Sequence, residues 1–401
     1  MPSKRLYFDY AASTPVAPEV AAAMQPYFTE QFGNPGSLHS FGQEAINAID
    51  RSRETIANAI SASFREIVFT ASATEANTLG IVGTIRKFRR DHPEIARPRI
   101  VLSAIEHKSA LEAVRACGGE RGDDVEVIQS PVDTEGRVNM QDMLGAVNEQ
   151  TALVFCMYGH NELGTIQPIE EMAHGLAELR KAGKTAARFH LDAVQAFPFL
   201  PCHVSDLGID LMTLSAQKIY GPKGVAALYV RGLDTPRVIP LEPLVHGGDQ
   251  EYGLRSGTEN VPGIVGFGKA VELLLTQREH DAVHAHELKT YCWSELKKIF
   301  PRLQVNGPAP EESLPLALPH ILSIYLPDHP AQELLTALDL QGIAISAGSA
   351  CSARSLEPSR AIEALGYPRT RAEQSVRISF GRPTTQEDID HLITAFAKVL
   401  K

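Results

Sequence analysis

The sequence predicts an α/β protein, with a large domain on a mainly parallel central sheet and a smaller α+β domain beside it. Three observations carry this. Short apolar runs alternate with stretches of helical spacing, the pattern of strands joined by crossover helices. Several of those runs end on a polar residue at a turn, as strands of an open sheet do where ligands gather. The chain has 401 residues, more than one ordinary hydrophobic core organises, and its texture changes after residue 262.

In chain order, the strands of the large domain are read at 66–70 (EIVFT), 99–103 (RIVLS), 125–129, 152–157, 188–192 (RFHLD), 211–215 and 225–230. Helices are read between them at 74–90, 109–116 and 169–182. Thr70, Ser103, Asp192 and Ser215 close four of the strands and are expected to share one crevice. Beyond residue 262, helices at 263–277 and 282–299 are followed by turns rich in Pro and Gly and by short strands at 320–326 and 375–380. The large domain is therefore drawn at 17–262, and the small one at 1–16 together with 263–401.

Composition narrows the function. The hydrophobic fraction is 44%, the charged fraction 21% and the formal net charge -10, values of a soluble protein with no global attraction for nucleic acid or an anionic membrane. No apolar run is long enough to span a bilayer, and the first residues lack the apolar core of a signal peptide, so a cytoplasmic location is expected. The five cysteines are scattered and lack CxxC pairing, which argues against a disulfide framework or an intrinsic metal site. Four of them read as small core hydrophobes.

The most informative segment is FHLDAVQAFPFLPCHVSDLGIDLMTLSAQKIYGPKG. Asp192 closes one strand, and Lys218 follows the next, 26 residues later, beside a Gly/Pro turn. Both can point into one crevice. Pyridoxal-phosphate (PLP) chemistry needs such a pair: an amine to form the Schiff base and a carboxylate to keep the pyridine nitrogen protonated. A lone Asp and Lys would ordinarily be a strand end and a surface charge. Here Gln195 is placed for the ring oxygen, and Ser215 and Gln217 for the phosphate.

This segment resembles fold-type I PLP enzymes, in particular the class V aminotransferase group and its NifS-like cysteine desulfurases. The resemblance runs along nearly the whole chain. In FTASATEANTLG it implies that Ala73 and Thr74 meet the phosphate at a helix start. In SAIEHKSALE it implies that His107 stacks on the cofactor ring and moves protons, and in MYGHNELGTIQPI that Asn161 contacts ring oxygen and substrate. His160 and Glu162 are read as local structure. FGNPGSLHSFG and QSVRISFGRPTTQEDID match segments whose Asn34 and Arg377 would hold the substrate carboxylate, Arg377 by paired hydrogen bonds. In HGGDQEYGLRSGTENVPGIVG, Thr258 would reach the phosphate of a neighbouring subunit, which implies a homodimer. One position departs: the family usually has histidine before the lysine, and this chain has Gln217.

AISAGSACSARSLEPS surrounds Cys351 with Ser, Ala and Gly, a composition that makes a poor helix or strand and reads as an exposed loop. It resembles the desulfurases with a long catalytic loop. The resemblance implies that L-cysteine is the substrate and alanine a product. Cys351 would receive the sulfur as a persulfide and pass it to an acceptor, such as an iron–sulfur scaffold or a thiolation enzyme. It could also ligate a cluster transiently with a scaffold partner. No membrane or direct nucleic-acid partner is expected.

Overall fold

The structure is a computed structural model describing residues 5–118, 124–235, 240–348 and 358–400. The seven apolar runs of the first half become β1 (Ile67–Thr70), β2 (Arg99–Ser103), β3 (Glu126–Ser130), β4 (Thr151–Met157), β5 (Arg188–Asp192), β6 (Leu211–Ser215) and β7 (Ala226–Val230). They form one sheet in the order β1-β7-β6-β5-β4-β2-β3. Every pairing is parallel except those of β7, which runs against both neighbours. The fold is α/β with a mainly parallel sheet, as the alternation of runs implied.

Helices cover both faces, which is why the inner strands are apolar along their whole length rather than alternating. β4 and β6 are buried at every residue. The edge strand β3 alternates between half-exposed and exposed positions before ending buried. On one face pack α1 (Ser40–Ala59), α4 (Ile169–Lys181) and the start of α5 (Val261–Ile299), through Ile49, Ile56, Met172 and Val271. On the other lie α2 (Ala73–Asp91) and α3 (Lys108–Cys117), with Ile81, Ile85 and Val114 against Ile100, Leu102 and Phe155.

α5 is one helix of 39 residues where the sequence pattern suggested two. The polar stretch 276–281 interrupts its apolar face but contains neither Gly nor Pro, so nothing breaks the backbone ladder. Its first half, through Phe267 and Leu274, belongs to the main core. Its second half, through Leu288, Cys292 and Leu296, packs on a separate core. There β8 (Ile321–Tyr325) lies antiparallel between β9 (Ser375–Ser379) and the short strand Gln304–Val305. The N-terminal strand Leu6–Tyr7 pairs with Ile343–Ala344 in the same region. Among the described residues, no helix is long and apolar enough to cross a membrane.

Candidate active site

Five of the six strands that run in one direction, β1, β2, β4, β5 and β6, deliver their carboxyl ends to one side of the sheet, where their following turns enclose a cleft of about 170 Å³. Of the residues singled out from sequence, Ala73, Thr74, His107, Asn161, Asp192, Gln195, Ser215, Gln217, Lys218 and Arg377 all line it.

β6 ends at Ser215 and turns into a short 3₁₀ segment, Ala216–Lys218, which brings Lys218 back over the cleft. Lys218 Nζ donates to the carbonyls of Ala11 and Ala12, each at 2.6 Å. The adjoining Gln195 Nε2 donates to Ala11 O at 2.7 Å, and Gln195 Oε1 lies 3.2 Å from His320 Nε2. Burial pushes the His320 pKa well below its ordinary value, so the ring is neutral and Nε2–H is the donor that fixes this amide.

Asp192 is buried at the end of β5. Its Oδ2 accepts from Asn77 Nδ2 at 2.8 Å and its Oδ1 from Val194 N at 3.0 Å. Asn77 also donates to Ser109 Oγ at 3.0 Å, and Ser109 lies 2.8 Å from His107 Nδ1. His107 caps α3, its Nδ1 accepting from Ser109 N at 3.1 Å, so a neutral ring carries its proton on Nε2.

At the other end of the cleft β1 stops at Thr70 and α2 begins. Ser72 caps it by accepting from Glu75 N at 3.1 Å, and Glu75 in turn accepts from Ala71 N at 2.9 Å. The first-turn amides, Ala73 and Thr74 among them, lack acceptors within the helix and sit at the positive end of its dipole.

Arg377, on β9, is 1% exposed. Its Nη1 donates to Asn161 O at 2.9 Å and its Nη2 to Asp9 Oδ1 at 2.5 Å, while buried Nε has no partner. The residue lines the cleft, and a guanidinium there suits a carboxylate.

Two predicted residues are not brought to the cleft of this chain. Asn34 is exposed and its Oδ1 is occupied by Gly36 N at 2.9 Å, because the Pro-Gly turn after it folds the side chain onto its own loop. Thr258 is exposed on a turn outside the cleft. Cys351 lies outside the described residues. Conversely, Asn77 and Ser109 were not picked out from sequence. Asn77 follows Ala73 by one helical turn, so the helical period of FTASATEANTLG carries the signal that places it on the cleft face.

The donor set fits PLP: an amine and a carboxylate in one cleft, an amide between them, a helix start at the far end and a buried arginine with a spare donor. Comparison with known proteins agrees. The family described as Aminotransferase class-V matches residues 6–392. The chain is 38% identical to "Cysteine desulfurase IscS" of Dictyoglomus turgidum over 398 residues, covering 99% of this chain and 95% of that protein. Among solved structures it is similar to a "NIFS-LIKE PROTEIN", with TM-score 0.87, 32% identity and 99% of each chain covered. It is also similar to "SspA in complex with cysteine", with TM-score 0.77, 34% identity and 95% and 100% covered.

Proposed function

The chain belongs to the class-V aminotransferase family, and from that premise we propose that it is a cysteine desulfurase that transfers sulfur from L-cysteine to Cys351 and releases alanine. The enzyme is PLP-dependent. The observation that carries the reading is the meeting of Lys218, Asp192 and Arg377 in one cleft. An amine, a carboxylate and a carboxylate anchor together meet the needs of amino-acid chemistry on this cofactor.

PLP, when bound, supplies an aldehyde that condenses with amines and a ring that draws electrons from the substrate Cα. Lys218 holds it covalently, Asp192 keeps a proton on the ring nitrogen, and Gln195 and Asn161 serve the ring oxygen. Ala73, Thr74, Ser215 and Gln217 hold the phosphate; Gln217 brings an amide donor and no charge. Arg377 binds the α-carboxylate, so the Cα–H bond faces Lys218, which takes that proton. His107 Nε2 moves protons at the substrate amine and thiol. The Cys351 thiolate then attacks the substrate sulfur. An S–S bond forms and the C–S bond breaks. Its electron pair stays with the carbon fragment, which is protonated and leaves as alanine.

The remaining parts of the reading rest on the family. The enzyme is a homodimer in which Thr258 serves the neighbouring cleft, and its exposure on one chain supports this. Asn34 is assigned to the substrate carboxylate only in that assembled form. The persulfide passes in the cytoplasm to an iron–sulfur scaffold or a thiolation enzyme, where Cys351 can also ligate a nascent cluster. Residues 17–262 form the cofactor domain and 1–16 with 263–401 the small domain, a division supported by the separate core around β8 and β9.

The test is an assay of sulfide and alanine from L-cysteine by wild type and Cys351→Ala, with an added dithiol to reduce the persulfide and release its outer sulfur as sulfide. Wild type is expected to form both in equal amounts and the variant neither. A class-V aminotransferase or a selenocysteine lyase would lose no turnover on its own substrate in Cys351→Ala, and a wild type silent on L-cysteine overturns the proposal.

A further inference from the structure

Glu162 directly follows the cleft residue Asn161 and is 9% exposed. Its Oε2 accepts from Ser359 Oγ at 2.5 Å. The same oxygen lies 2.9 Å from where a Cβ on Gly348 would stand, and Gly348 has φ +78°. Only glycine meets both conditions, the left-handed backbone and the close approach. Ser359 is fixed as well, since its hydroxyl caps Arg360–Ala364 by accepting from Ile362 N at 3.3 Å. One carboxyl group therefore touches the chain three residues before Cys351 and eight residues after it.

Glu162 is itself held rigidly. Its N–H donates to His160 Nδ1 at 3.2 Å, and His160 Nε2 lies 2.9 Å from Ile105 O. Burial lowers the His160 pKa, so the neutral ring accepts at Nδ1 and donates at Nε2. The strand-side stem is tied to the substrate anchor too: Arg377 N donates to Ser346 O at 2.6 Å, and Ser346 Oγ to Gly348 O at 3.2 Å.

Resting on the reading of Cys351 as sulfur acceptor, we infer that Glu162 is a positioning residue that clasps the two stems of the Cys351 segment and fixes the origin from which the thiol reaches the substrate. Three residues of chain span at most about 11 Å and eight at most about 28 Å, so the Gly348 side sets the tighter limit on where Cys351 can stand. A shift at Gly348 moves the origin of that reach. Misplacing a reacting group by about 1 Å costs about 100-fold in rate.

A merely structural Glu162 would lower stability and cofactor loading alike; a clasp affects only the step that uses Cys351. Wild type, Glu162→Gln, Glu162→Ala, Ser359→Ala and the Glu162→Ala/Ser359→Ala double variant are loaded with PLP and mixed with L-cysteine for a single turnover. The spectral response to cysteine reports substrate capture, and mass spectrometry reports Cys351 persulfide. Capture is expected to stay within about twofold, while persulfide formation falls about 10- to 100-fold in both alanine variants. The double variant should be no slower than Glu162→Ala, because Ser359→Ala removes a contact that Glu162→Ala has already lost. Glu162→Gln, which keeps an acceptor, should recover part of the rate.

Wild-type persulfide formation in Glu162→Ala overturns the inference, as does a capture rate that falls as far as sulfur transfer. If Glu162→Ala does not fold, Ser359→Ala and Glu162→Gln decide by the same outcomes. A wild type that yields no alanine overturns the desulfurase reading itself; an active wild type with unaffected variants overturns only the clasp.

Discussion

Glu106 stands beside His107, yet its carboxyl group is buried, with Oε1 accepting from Met157 N at 3.0 Å. Burial raises its pKa from 4.5 to about 8, helped by the nearby negative charge of Asp192 and opposed by hydrogen bonds from Ser103 and Met157. The folded state thus holds a proton that the unfolded chain gives up. The stabilising contribution is complete below pH 4.5 and is lost as pH rises toward about 8. Replacing Glu106 by Gln removes this dependence. The stability advantage of wild type over Glu106→Gln should shrink by about 1.4 kcal/mol per pH unit across that window. Apparent Tm values at pH 5.5 and pH 8 check it (about these values, within the range the shift sets), and a gap that does not change with pH would refute it. Glu106 left no trace in the sequence, since one acid in a loop is ordinarily solvated and its burial is decided by strands far away in the chain. Lys218 and Asp192 were legible because the PLP chemistry proposed for the chain asks for an amine and a carboxylate beside strand ends. Asn34 shows the opposite limit, a matched motif whose side chain one subunit turns onto its own loop.

The start of α2 sits at the cleft only because the helix packs close to the sheet, and Gly80 makes this possible. A Cβ there would lie 2.3 Å from His190 Cε1 on β5. His190 cannot yield easily. Its Nε2 is 2.9 Å from Thr213 Oγ1, it is wholly buried, and burial depresses its pKa to about 3, so it fills the interior as a neutral ring. Gly80→Ala is expected to cost about 1–3 kcal/mol through overpacking. Because α2 must tilt or rise to relieve the clash, it should also weaken PLP retention, measured by titrating the apo-protein with cofactor. A stable variant with wild-type affinity would show that the helix start is not positioned by this contact. At this scale the sequence was most readable where each element is uniform. All seven strands of the main sheet were visible as short runs, six of them because strands covered on both faces need apolar residues along their length. The reversed direction of β7 was not visible, since direction depends on connections rather than on residue pattern. α5 was divided in two because its middle passes from one core to another, and the polar face exposed there resembles a break.

At the scale of the whole molecule, the turn carrying Thr258 bears on how two copies would combine. That turn is anchored firmly: Arg53 grips Glu251 with two hydrogen bonds at 2.8 and 2.7 Å, and Glu251 Oε2 also accepts from Phe69 N at 2.8 Å. Both side chains are nearly inaccessible, so the pair is retained without solvent screening and the loss of one partner would leave a buried charge. Glu251 and Tyr252 have φ +49° and +61°, a conformation that costs non-glycine residues about 1–3 kcal/mol each and persists only where surrounding contacts enforce it. Phe69 lies in β1, the strand that leads into α2, so the anchored turn is registered to the start of α2 at the cleft while Thr258 itself is exposed. A rigid, strained turn with an exposed threonine makes sense if its target lies on a second copy. Mixed dimers of Lys218→Ala and Thr258→Ala subunits separate the possibilities. If Thr258 serves the neighbour, the Thr258→Ala subunit receives an intact threonine from its Lys218→Ala partner. Each mixed dimer then has one complete cleft, binding one PLP with wild-type affinity and showing half the wild-type turnover. If Thr258 serves its own chain, no complete cleft exists in either subunit, and the mixed dimer will bind PLP no better than the Thr258→Ala homodimer.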